Sequence, residues 1–161
     1  MRHNNQVEST DTIDAPGEAE SEARSALLDS LVGYGLRRAS NVVMADFMAA
    51  VGELGLRPAL FAMLAVAREN PGINQSALGR ALGIQRTNLV PLIAELAARG
   101  LIERLPAAND RRAVAVHLTR AGDALLDAAE ARVRPHEQRM LEGLSADERE
   151  TLRALLSRIG G

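Results

Sequence analysis

Between Asn74 and Leu118 the spacing of apolar residues changes character twice. Leu78, Ala81 and Leu82 fall at i, i+3 and i+4, which predicts a short helix with a narrow apolar stripe. Asn74 stands at its N-cap, and Ile73 just before it is placed to staple onto Leu78. After Gly83 the period repeats: Leu89, Leu92, Ile93 and Leu96 form the buried stripe of a longer helix that ends at Gly100. Both glycines stand where a chain leaves a helix through the left-handed region. The period then drops to two. Leu101, Glu103 and Leu105 alternate with Ile102 and Arg104, and Val114, Val116 and Leu118 share one face. Pro106 to Arg112 reads as the tip of this hairpin, with Asn109-Asp110 as turn former.

Helical patterns flank this block. Leu28, Leu31, Leu36, Ala39, Val43, Phe47 and Val51 predict one amphipathic helix from Leu27 to Val51, weakened locally by Gly33 and Gly35, which would mark a close approach or a bend. Gly52 to Leu56 reads as a loop. Pro58 opens a helix to about Glu69 with Leu60, Phe61, Leu64 and Ala65 inward, and Pro71-Gly72 stops it. After the hairpin, Thr119 caps a long helix bearing Leu125, Leu126, Ala129 and Val133. Pro135 is expected to kink or interrupt it. Ser145-Ala-Asp-Glu148 is a capping box for a last helix carrying Leu152, Leu155, Leu156 and Ile159. The expected fold is mainly α with a small β-hairpin wing, in one structural domain. A winged helix-turn-helix over residues 57–118 lies between helical regions at 27–56 and 119–161, behind a flexible acidic tail over 1–26. Such a unit lays its second helix in a DNA major groove.

Composition narrows the function. Apolar residues make up 47% of the 161 and aromatics 2%, so the core is built from Leu, Ala, Val and Ile with only Tyr34, Phe47 and Phe61. No apolar run reaches the length of a membrane span and no secretory leader is visible, so a cytoplasmic location is expected. Absence of cysteine removes disulfides, thiolate zinc sites and thiol-based oxidant sensing. The net charge of −2 hides an asymmetry: residues 1–29 carry two arginines against seven acids, whereas residues 68–120 carry eight arginines against four acids. Every basic residue is arginine, the side chain suited to bidentate contact with guanine edges and phosphates. His3, His117 and His136 stand apart from one another, without metal-ligand spacing or a nucleophile motif. Neither an enzyme nor a metal or cofactor site is expected.

The outward residues of the second helix carry the candidate chemistry. Arg86, Thr87, Asn88, Val90 and Pro91 face away from the apolar stripe, following Gln85 at the cap. Asn pairs with adenine and Arg with guanine in the major groove, each worth ~1–3 kcal/mol of discrimination. Pro91 offers only apolar contact and predicts an irregular or kinked first turn. Asn74, Gln75 and Ser76, at a helix N-terminus, are placed to meet a phosphate, as is Arg57. A winged helix serving only to dock other proteins is the competing class, but it would expose apolar side chains where these are polar.

Leu82-Gly83-Ile84, Arg99-Gly100-Leu101-Ile102-Glu103-Arg104, Asn109-Asp110-Arg111-Arg112 and Leu118-Thr119-Arg120-Ala121-Gly122 together resemble the multiple antibiotic resistance regulator (MarR) family. The resemblance runs from about Leu31 to Ile159. It implies a repressor that binds a palindromic operator on double-stranded DNA and releases it when a small anionic effector binds. Gly55-Leu-Arg-Pro-Ala-Leu-Phe61 and Gln85-Arg-Thr-Asn-Leu-Val-Pro-Leu92 further resemble members that control aromatic-acid breakdown, some answering to acyl-CoA thioesters, which implies an aromatic acid or its CoA thioester as that effector. It implies that Arg111 or Arg112 enters the minor groove with Asp110 holding it by an ion pair. For the terminal helices, intrachain packing is the plain reading and an intertwined homodimer the one the resemblance implies. The effector would lie between the first helix, the start of the second and the winged helix, where Tyr34, Arg37 and Arg38 are the candidate contacts; the plain reading is that both arginines face solvent or phosphate. Pro91 departs from the family, in which arginine is common at that position.

Overall fold

The computed structural model describes residues 25–107 and 110–159, and for 107 and 110–113 only the backbone. In chain order the elements are α1 (Ala26–Asp29), α2 (Val32–Val51), a 3-10 turn (Gly52–Leu54), α3 (Pro58–Glu69), β1 (Ile73–Asn74), α4 (Gln75–Leu82), α5 (Arg86–Ala98), β2 (Ile102–Ala107), β3 (Asp110–Leu118), α6 (Arg120–Met140) and α7 (Ala146–Leu156). The chain falls into two compact units divided after Leu36.

In the first unit, the single helix expected from Leu27 is broken at Ser30-Leu31, ahead of both glycines. The Ser30 hydroxyl donates to the Leu27 carbonyl at 2.7 Å, and Leu31 bonds three residues back instead of four. That local competition closes α1 after one turn. Gly33 and Gly35 lie inside α2 with open space where a Cβ would stand, so they mark no close approach.

In the second unit, α3 is the central element, packed by α4, α5, α6 and β3. Leu60, Met63, Leu64 and Ala67 are buried on it, while the expected Phe61 and Ala65 are only partly covered because neighbours enclose a different arc of the helix. Phe47 and Val51 of α2, Leu78 of α4, the stripe Leu89, Leu92, Ile93 and Leu96 of α5, and Leu126 and Ala129 of α6 complete the core. The wing is three-stranded, in the order β1-β3-β2. β1, with Ile73 opposite Val116 and Asn74 opposite Ala115, is too short to leave a period-two signal. Ala115 in the central strand is therefore buried along with Val116 on the other face. The strands also run closer to the tip than expected: Pro106, Ala107 and Asp110 to Arg112 are paired or in strand, with an irregular register at Pro106/Ala107. Asn109, half of the expected turn, lies outside the described residues.

Neither proline breaks its helix. Pro91 lies inside α5 and Pro135 inside a 21-residue α6. Both are exposed, so the carbonyls they leave unpaired stand on solvated faces. At the start of α5, Asn88 N bonds the Gln85 carbonyl three residues back. The capping box at Ser145 and Glu148 is formed in both directions. Helix α7 stops at Leu156, so Ile159 lies beyond it rather than on its stripe.

Two of the quoted sequence motifs meet in space. Thr119 N donates to the Leu101 carbonyl at 3.1 Å, and its hydroxyl donates to the Gly100 carbonyl at 2.7 Å while accepting from Gly122 N at 3.0 Å. A Cβ on Gly122 would stand 2.1 Å from the Leu101 carbonyl oxygen. Glycine here lets α6 cross directly over the start of β2.

Candidate nucleic-acid interface

The interface is built from two helix starts. Asn74 caps α4, its side-chain oxygen accepting from Ala77 N at 2.8 Å. Gly83, in the left-handed region at φ 63°, turns the chain, and Ile84 N returns to the Gly79 carbonyl at 2.9 Å. Gln85 then opens α5 with an extended backbone and no side-chain cap bond. Its carbonyl accepts from Asn88 N and Leu89 N. That leaves the amides of Arg86 and Thr87 at the head of α5, where the helix dipole favours an anion.

Between these starts lies an open groove of about 830 Å³. Asn74, Gln75, Ser76, Gly79 and Arg80 line it from α4. Gly83, Ile84, Gln85, Arg86 and Leu89 line it from the turn and α5, and Val114 from the wing. The structure thus brings Asn74, Gln75, Ser76, Gln85 and Arg86 together. Thr87, Asn88, Val90 and Pro91 lie on the exposed face of α5, outside the groove lining. Among the described residues two arginines and no carboxylate line the groove, and they make its field positive. Arg80 is the residue that sequence reasoning missed. It stands one turn after Ser76, away from the Leu78, Ala81 and Leu82 stripe, and that spacing was the available signal.

Other candidates fall elsewhere. The side chains of Asp110, Arg111 and Arg112 lie outside the described residues, although their backbone belongs to β3. Arg57 pairs with Glu95 rather than facing the groove unpartnered. Tyr34, Arg37 and Arg38 all lie on α2, Tyr34 half-buried in the first unit and both arginines exposed in the second. As neighbours in sequence, Arg37 and Arg38 point about 100° apart around the helix. His136, treated as isolated in the sequence, is buried and its Nδ1 bonds the Asp46 carboxylate. Its ring meets Phe47 edge-on at 6.1 Å between centroids, and Phe47 meets Phe61 at 5.6 Å.

The sequence model of the MarR family matches residues 56–114, which hold α3 to the start of the wing's last strand. A "putative transcriptional regulatory protein for hcr operon" from Thauera aromatica is 35% identical over 129 residues, 80% of this chain and 78% of that one. The chain belongs to the MarR family. Solved structures agree. The transcriptional repressor CouR bound to a 23-mer DNA duplex superimposes with a TM-score of 0.82 at 38% identity, covering 88% of this chain and all of that one. CouR bound to p-coumaroyl-CoA gives a TM-score of 0.77 at 37% identity, covering 86% and 97%. The MarR-family chain is therefore a DNA-binding transcriptional regulator with a winged helix, not an enzyme. Among its described residues no single helix is long and apolar enough to cross a membrane.

Proposed function

We propose that this regulator is a homodimeric, cytoplasmic repressor of a palindromic operator, released by a small anionic effector that is an aromatic acid or its CoA thioester. The observation that carries the DNA half is the positive groove shared by the α4 and α5 starts, beside the exposed polar face of Arg86, Thr87 and Asn88. In this reading Asn74, Gln75, Ser76 and Arg80 meet phosphates, while Gln85, Arg86, Thr87 and Asn88 meet base edges with Val90 and Pro91 as apolar contacts. Arg111 and Arg112, with Asp110, serve the minor groove, where narrow A·T tracts attract arginine. The effector half is supported by the likeness to CouR in its complex with p-coumaroyl-CoA. Residues 27–56 and 119–161 supply the dimer, and exposed Leu27, Leu28 and Leu31, and separately Leu155, Leu156 and Ile159, are its apolar surfaces.

The test is a gel shift on the DNA upstream of the regulator's own coding sequence, titrated with p-coumaroyl-CoA, p-coumarate and free CoA. Retarded DNA that the thioester or the acid releases, and free CoA does not, is the expected result. A shift that no aromatic ligand reverses overturns the effector reading and leaves the DNA reading standing. Absence of any shift, on this or a randomised pool, overturns both.

A further inference from the structure

The C-terminal half of α5 is tied to the elbow between α2 and α3 by contacts that cross in both directions. From α5, the Arg99 guanidinium donates to the Gly55 carbonyl at 2.7 Å and to the Leu54 carbonyl at 3.2 Å. From the elbow, Arg57 reaches back to Glu95, one helical turn before Arg99. The elbow is itself tied to α6, since Glu53 pairs with Arg132 at 3.2 Å. Gly55 is shaped for this arrangement: its φ is +64°, and a Cβ there would stand 3.3 Å from Arg99 Nη2. Two carbonyls at the end of the 3-10 turn thus find one donor at the C-cap of α5.

We propose that Arg99 is the positioning residue of that helix: spanning the Leu54 and Gly55 carbonyls, with Glu95 on Arg57, it sets the angle at which α5 enters the major groove. The geometry is that of a lever. At 1.5 Å of rise per residue, Arg86 lies roughly 20 Å along the axis from Arg99, so a tilt of about 6° at the clasp moves the reading side chains by ~2 Å. Base-edge hydrogen bonds tolerate errors on the order of 0.5 Å. Contact with scattered phosphates is more forgiving, because it carries no sequence information. Loosening the clasp therefore lowers specific binding and spares non-specific binding.

The inference rests on α5 being the helix that reads DNA. The probes are a duplex selected by the wild-type protein from a randomised pool and a scrambled duplex of equal length, each measured over a salt series. Arg99→Ala, Gly55→Ala and the pair Arg57→Gln with Glu95→Gln are compared with the parent. Arg57 and Glu95 are exposed enough that their substitution leaves the fold intact even if Arg99→Ala does not. The expected result is a loss of ten-fold or more for the selected duplex. Affinity for the scrambled duplex and the salt slope stay unchanged, and Arg99→Lys recovers part of the loss. Equal losses on both duplexes with a slope reduced by about one would make Arg99 a phosphate contact and overturn the proposal. Selected-duplex affinity at the parent level in the folded variants overturns it equally. If the wild-type protein selects no sequence, the DNA-reading role of α5 fails and the proposal falls with it.

Discussion

At Gly122 one added methyl group meets backbone that has nowhere to go. The Leu101 carbonyl oxygen lies 2.1 Å and Leu118 Cδ1 2.7 Å from the position of a Cβ. Gly122→Ala must separate α6 from the wing, and overpacking of a fixed backbone contact costs about 3 kcal/mol. For a chain of this length that lowers the melting temperature by roughly 10 °C, read by circular dichroism; an unchanged melt would refute the crossing described here. The same contact explains why Arg99-Gly100-Leu101 and Leu118-Thr119-Arg120-Ala121-Gly122 occur together in one sequence: Thr119 and Gly122 sit on the carbonyls of Gly100 and Leu101. Residues whose part is set by their own helix were legible. Asn74 as a cap, the buried stripe of α5 and its exposed face all follow from local spacing. Residues whose part is set by a distant partner were not. His136 finds Asp46 across 90 positions and Arg99 finds Leu54 and Gly55 across 45 and 44, and no period encodes such pairings.

Elements are joined by charge as well as by apolar packing, and this makes stability depend on pH. Arg68 of α3 binds Asp127 at 2.7 Å and Glu130 at 2.8 Å on α6, with Asp123 at 3.8 Å. The hydrogen bond from Arg68, then that from Arg134, hold the Glu130 carboxyl below its ordinary value. Glu148 is likewise lowered, chiefly by the backbone amide of Ser145 in the capping box. A carboxyl whose folded pKa is depressed contributes stability that is complete above its unfolded value, about 4.3 for glutamate, and is lost as pH falls through the folded value. The melting temperature should therefore be level from pH 7 to about 5 and decline below that. Glu130→Gln and Glu148→Gln should each flatten the decline; parallel curves for parent and variants would remove these groups as its source. Among the elements, the capping box was readable because its spacing is fixed at three residues. The two-residue β1, and the α1–α2 break decided by one serine hydroxyl, fall below what apolar periodicity resolves. Propensity alone does not show that Pro135 stands on a wet face, where α6 runs on through it without interruption.

At the scale of the whole molecule, the proposed dimer and the proposed effector must act through the spacing of two recognition helices. Removing residues 152–161 strips Leu152, Leu155, Leu156 and Ile159, of which the last three are 48%, 43% and 57% exposed. Sedimentation should then show the dimer weakened or lost, and a soluble dimer of unchanged affinity would refute its dependence on this segment. Both half-sites of a palindrome are read together only when the helices stand ~34 Å apart, one turn of DNA. A ligand bound beside α2 shifts the population of spacings only by its differential affinity for them, however tightly it binds. Coupling of ~1–3 kcal/mol suffices to weaken operator binding by one or two orders of magnitude. Arg37 and Arg38 are the proposed anion contacts. Because the two arginines diverge around α2, one of them should dominate: Arg37→Ala or Arg38→Ala should raise the ligand concentration for half-release at least ten-fold, and operator affinity without ligand should stay near the parent's. Titrating p-coumarate and p-coumaroyl-CoA against each variant separates carboxylate from thioester recognition, since only the thioester brings phosphates for a second arginine to hold. Release at equal ligand concentration from the parent and from both variants would place the anion elsewhere and strike Arg37 and Arg38 from the site.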